Sequence, residues 1–116
     1  MEPTNNHINY IEFKSHDLIT TKKFYSECFH WEFTDYGSNY TSFENGGIAG
    51  GFEFSKEKVA NGVLVVLAHQ NLAEIQAKII KAGGTISVET FSFPGGERFQ
   101  FLDPSGNELA VWRQTE

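Results

Sequence analysis

The sequence predicts an α+β fold: two tandem βαβββ modules forming an open, cup-shaped mixed sheet with the helices on its outside. Three observations carry this expectation. A strand-like alternation followed by a capped helical stripe occurs twice, at a fixed offset of 54 residues. Each helix is followed by three strand-like pieces separated by turn residues. The chain of 116 residues is long enough for one domain that buries its core without covalent staples.

The elements follow in order. YIEFKSHDL (10–18) alternates, with Ile11 and Phe13 on one side and Tyr10, Glu12 and Lys14 on the other. Asp17 is placed to cap the helix that follows, because its carboxylate can accept from the open amides of a first turn. Leu18, Thr21, Phe24, Tyr25 and Cys28 then fall at helical spacing. In LVVLAHQNL (64–72), Val65 and Leu67 take the places of Ile11 and Phe13, and Asn71 that of Asp17. Leu72, Ile75, Ile79 and Ala82 form the second stripe, which Gly83 and Gly84 end.

The strand-like pieces after the first helix are WEFTDY (31–36), NYTSFE (39–44) and GIAGGFEF (47–54). Those after the second are TISVETF (85–91), RFQFL (98–102) and ELAVW (108–112). Module 1 therefore runs from about 7 to 54, a polar connector covers 55–61, and module 2 runs from about 62 to 113, all within one domain. A four-stranded sheet with one helix leaves a face uncovered, and two such faces can line a shared concave space. The alternative on pattern alone is a ferredoxin-like sandwich with no cavity.

Composition narrows the partners. A net charge of −6 argues against nucleic acid, which needs clustered Lys and Arg; Lys22–Lys23 and the Lys56–Lys58 segment are too short and too diluted by acids. Cys28 is the single cysteine, so no internal disulfide can form and a reducing compartment is favoured. MEPTNNHINY does not read as a signal peptide, and no apolar run approaches the roughly 20 residues of a membrane helix. A cytoplasmic location with no membrane partner is expected.

DLITTKKFYSECFHWEF (17–33), GG (83–84) and FSFPGGERFQFLDPSGNELAVW (91–112) resemble the vicinal oxygen chelate superfamily. That group comprises the glyoxalases, bleomycin-resistance proteins, fosfomycin-resistance enzymes and extradiol dioxygenases. The resemblance runs from about Asn9 to Trp112 and implies the glyoxalase/bleomycin resistance/dioxygenase fold. One departure is His30, where the family usually has Gly before the Trp.

The resemblance also implies where a metal would be held. Metal-dependent members take one ligand from the first strand of each module and another from its last strand. Seven residues before Asp17 and Asn71 stand Tyr10 and Leu64; seven after Asp103 stands Ala110. The fourth position lies in 47–54, where Ala49, Gly51 and Glu53 share a face and only Glu53 has a donor. A catalytic divalent ion generally needs three protein ligands, and leucine and alanine have no donor atom. No metal and no other cofactor is therefore expected.

Ten residues form the candidate ligand-binding set: Tyr10, Glu12, Tyr40, Glu53, Leu64, Val66, Phe99, Phe101, Ala110 and Trp112. Alternation puts Tyr10, Glu12, Leu64, Val66, Ala110 and Trp112 away from their helices; Tyr40, Phe99 and Phe101 follow from strand pattern alone. This apolar, aromatic wall with a few polar handles suits a small-molecule pocket. The plainer alternative is that the rings fill the concavity, against which Glu12 argues, since a carboxylate among rings needs a partner or water. Glu12 and Glu53 are the catalytic candidates, as general bases.

The remaining features read as structural. His7, His16, His30 and His69 show no metal-ligand spacing, and Cys28 lies on the apolar stripe of its helix. SFPGGE (92–97) is either a mobile flap or a plain hairpin loop.

The function expected first is binding of a small apolar or aromatic compound without the usual divalent site, with bleomycin-resistance-like sequestration as one version. A metal-dependent or general-base lyase, isomerase or dioxygenase is the alternative, and a dimeric accessory module with a vestigial pocket the third. A homodimer is compatible with the resemblance.

Overall fold

The computed structural model describes residues 3–115. Its element order is β1 (Tyr10–Ser15), α1 (Leu18–Phe29), β2 (Glu32–Asp35), β3 (Tyr40–Glu44), β4 (Ala49–Phe54), β5 (Val65–Ala68), α2 (Leu72–Lys81), β6 (Thr85–Phe93), β7 (Gly96–Leu102) and β8 (Glu108–Gln114). Two compact units divide between Lys58 and Val59, within the expected connector. Each is a βαβββ module with its own four-stranded mixed sheet, ordered β1-β4-β3-β2 in unit 1 and β5-β8-β7-β6 in unit 2. The first and last strands of each unit pair parallel, and the other neighbours pair antiparallel. The α+β class and tandem repeat expected from the sequence are the observed architecture.

The helices start where their caps place them. Asp17 accepts from the Thr20 amide at 3.2 Å, which holds its carboxyl below the usual carboxylate range. Asn71 accepts from the Glu74 amide at 3.0 Å. Thr21, Phe24, Tyr25 and Cys28 of α1 are buried, as are Leu72, Ile75 and Ile79 of α2. Each large apolar side chain so buried contributes about 1.5–3 kcal/mol.

The two cores differ in kind. Unit 1 is an aromatic stack, in which Tyr25 lies on Trp31 (4.7 Å between centroids) and Trp31 on Phe43 (4.3 Å), with Phe52 beside Tyr25 (5.1 Å). Unit 2 packs Ile75 and Ile79 with Phe99, Phe101, Leu109 and Val111, all essentially unexposed.

His30 ends α1 in the left-handed conformation (φ 62°), the geometry that makes glycine usual there. Residues 103–107 form a loop closed from inside. Asp103 Oδ1 accepts from the Ser105 and Asn107 amides, both at 2.9 Å, and Asp103 Oδ2 accepts from Asn107 Nδ2 at 3.0 Å. Residues 92–97 are a tight hairpin: Phe93 pairs with Gly96, leaving Pro94 and Gly95 (φ +96°) as the turn. Proline followed by positive-φ glycine is the chemistry of a type II turn.

Candidate functional site

The pairing register decides which side chains each sheet turns away from its helix. In unit 1 these are Tyr10, Glu12 and Lys14 of β1, Ala49, Gly51 and Glu53 of β4, and Tyr40 and Ser42 of β3. Phe13, Phe43 and Phe52 lie on the other face, in the aromatic core.

At the centre of the open face the Tyr10 and Tyr40 hydroxyls meet at 2.5 Å. They do so above Gly51, where an added Cβ would stand 2.5 Å from the Tyr40 hydroxyl and 2.7 Å from that of Tyr10. Absence of a side chain at Gly51 is therefore what admits the pair. Burial pushes the Tyr40 pKa well above the ordinary tyrosine value, and hydrogen bonds to Tyr10 and Glu12 act the same way, so its phenol stays protonated. Tyr10 remains 43% exposed, which leaves the pair open to solvent on one side. Glu53 is ion-paired with Lys14, whose pKa is raised chiefly by that hydrogen bond.

In unit 2 the open face carries Val66, Ala68, Glu108, Ala110, Trp112, Arg98, Gln100 and Leu102. Two irregularities in β6 turn Val88 and Phe91 toward the same face, opposite Gln100 and Arg98. Glu108 Oε2 is held by Ser87 Oγ (2.7 Å) and Gln100 Nε2 (3.1 Å). Phe93 and Trp112 are in ring contact, 6.4 Å between centroids.

Of the ten candidates, the structure brings Tyr10, Glu12 and Tyr40 together in unit 1, with Glu53 beside them in register. Val66, Ala110 and Trp112 share the open face of unit 2. Leu64 precedes β5 and lines a groove of about 140 Å³ with Asn61, Gly62, Val63 and Glu108.

Phe99 and Phe101 require correction. They pair with Val111 and Leu109 and share the face of Glu97 and Arg113, which line a groove with Leu72, Ala73 and Gln76 of α2. Both phenylalanines are 0% exposed, so they are core of unit 2 and line no open face. Ala110 lies on the open face but is also fully buried, flanked there by the longer Val66, Gln100, Glu108 and Trp112.

The residues missed are Phe91, Phe93, Arg98, Gln100 and Glu108. The signal for three of them was present: pairing Leu102 with Glu108 across DPSGN puts Arg98 and Gln100 on the side of Ala110. The irregularities of β6 left no such signal for Phe91 and Phe93.

The register also settles the fourth metal-ligand position that the resemblance implies. Val66 pairs with Ala110; its counterpart 54 residues earlier, Glu12, pairs with Gly51. Gly51, and not Glu53, is therefore the equivalent of Ala110. The four positions hold Tyr10, Gly51, Leu64 and Ala110, none of them a carboxylate, imidazole or thiolate. Among the described residues no three His, Cys, Asp or Glu side chains are grouped so as to hold a metal ion. This donor set does not fit the divalent ion of the metal-dependent members. His16 and His69 serve local structure, His16 Nε2 meeting the Glu57 carbonyl at 2.9 Å and His69 Nδ1 accepting from the Asn71 amide at 3.0 Å.

The family described as the Glyoxalase/Bleomycin resistance protein/Dioxygenase superfamily matches residues 7–111, and the chain belongs to it. Among solved structures, similarity is strong to a glyoxalase/bleomycin resistance protein/dioxygenase family enzyme from Burkholderia phytofirmans PsJN. The TM-score is 0.81 at 14% identity, over 92% of this chain and 98% of that one. The genomically encoded fosfomycin resistance protein FosX from Listeria monocytogenes gives 0.81 at 17%, over 97% and 96%. TnmS3, an antibiotic binding protein from Streptomyces sp. CB03234, gives 0.72 at 15%, over 98% and 100%. At such identities the likeness is one of fold. Comparison with curated proteins finds no match. Among the described residues no helix is long and apolar enough to cross a membrane.

Proposed function

We propose that this protein binds a small apolar or aromatic compound without a divalent metal, on the sheet faces its helices leave uncovered. One observation carries the reading: where the resemblance implies ligands, unit 1 has a hydrogen-bonded tyrosine pair seated over Gly51. A protonated phenol held at a fixed point is a hydrogen-bond donor for a ligand carbonyl, ether or hydroxyl. Tyr10, partly exposed, is the member a ligand reaches, with Tyr40 donating to it, fixing its position and leaving the Tyr10 proton for the ligand. Unit 2, on its own open face, carries the apolar Val66, Phe91 and Trp112. The antibiotic-binding relative TnmS3 shows that a member of this fold serves as a binding protein.

Thermal unfolding in the presence of EDTA against a panel of neutral phenols and aryl ketones tests the proposal. A ligand at 100 times its Kd adds about 2.7 kcal/mol. Stabilisation that persists in EDTA and weakens about fivefold in affinity in Tyr10→Phe is the expected result, the factor for one net hydrogen bond. Stabilisation that appears only on adding a metal ion would overturn it, as would a panel that never binds.

A further inference from the structure

Arg98 is the residue of unit 2 whose chemistry is left unused. Its guanidinium carbon lies 5.2 Å from the Phe91 ring centroid and 6.0 Å from that of Phe93. Its Nε is buried and finds no hydrogen-bond acceptor among the described residues. The other arginine, Arg113, lies on the opposite face and donates its Nε to Glu97 at 2.8 Å. Glu108 shares the face of Arg98, but it pairs with Leu102, four residues along β7 and so about 13 Å away, and its Oε2 is taken by Ser87 and Gln100.

A guanidinium beside aromatic rings gains cation–π attraction from them but no acceptor for its N–H groups. A buried charged donor left without one is costly, and the rings offset only part of that cost because they offer no in-plane lone pair. The group that meets these donors best is a planar or tetrahedral oxyanion, which accepts two parallel N–H bonds. Trp112, paired with Arg98 across β7 and β8, and Phe91 and Phe93 supply an apolar surround.

We infer that Arg98 is an anion receptor on the open face of unit 2, taking the carboxylate, phosphonate or phosphate of a ligand whose remaining body is apolar or aromatic. This inference rests on the small-molecule reading above and concerns a ligand on the open face of unit 2.

Nuclear magnetic resonance of the full chain tests it, because Arg98 and Arg113 are the only arginines and give two assignable Nε–H signals. The probes are phenylacetate, phenylphosphonate and neutral benzyl alcohol. The carboxylate or the phosphonate, whichever oxyanion fits, shifts the Arg98 signal saturably and leaves Arg113 in place. Arg98→Met, which keeps the unbranched stem, weakens that anion roughly tenfold or more, the factor for a charge-assisted bond, and leaves benzyl alcohol unchanged. Arg98→Lys falls between, having the charge without the fork. Anions that bind Arg98→Met as well as the native chain, or that move only Arg113, overturn the inference. If benzyl alcohol binds and neither anion is preferred, the receptor role fails while small-molecule binding stands. If no probe binds, both fail.

Discussion

Gly51 decides what unit 1 presents on its open face. A methyl there would stand within 2.7 Å of the Thr41 carbonyl oxygen and of both phenol oxygens, so Gly51→Ala must part the tyrosines or shift the strand. A loss of about 1–3 kcal/mol in urea unfolding is expected, as for overpacking elsewhere; a neutral substitution would show that the pair does not depend on the bare backbone. Tyr40 makes a second prediction through its proton. The folded protein holds that proton beyond the unfolded value near 10, so its stabilisation is complete below about pH 10 and is lost as pH climbs from there through the folded value. Tyr40→Phe should therefore flatten the fall in stability above about pH 10, and equal slopes in both proteins would contradict this. Tyr10 and Glu12 could be placed from alternation alone, since β1 obeys it without interruption. Arg98 was passed over because the phenylalanines beside it drew the assignment to the wrong parity, and burial in the core explains their apolarity.

Among elements, the helices were the most legible, because cap and stripe agree locally and tertiary packing overrides neither. Asn71→Ala should cost about 1 kcal/mol through loss of the cap. His30→Gly should add up to about 1 kcal/mol, since it relieves a left-handed residue with a side chain. The loop at 103–107 carries more. Asp103 is 4% exposed and accepts three hydrogen bonds, so Asp103→Ala strands two buried amides and is expected to cost about 3 kcal/mol in chemical denaturation. A cost below about 1 kcal/mol would mean that the turn residues alone hold the loop. Strand register was harder to read. GIAGGFEF gives no alternation at its glycines, and only the parallel pairing with β1 shows that Gly51 and not Glu53 matches Ala110. The irregularities in β6, which bring Phe91 to the open face, have no mark in TISVETF.

For the whole molecule, the doubled βαβββ plan was legible because it is written twice at one offset, and family membership confirms it. The ligand could not be read the same way, since one fold serves many chemistries and the discriminating groups are a few side chains. The groups proposed here are a tyrosine pair and an arginine, and the four positions where relatives that use a metal would need carboxylates or imidazoles hold Tyr10, Gly51, Leu64 and Ala110. The most direct test of that account is native mass spectrometry of chain purified without chelators and then exposed to zinc, manganese and nickel salts. The account predicts that each protomer keeps the mass of the bare polypeptide, or of polypeptide plus an organic ligand. One divalent ion per chain, retained through exchange into volatile buffer, would contradict it.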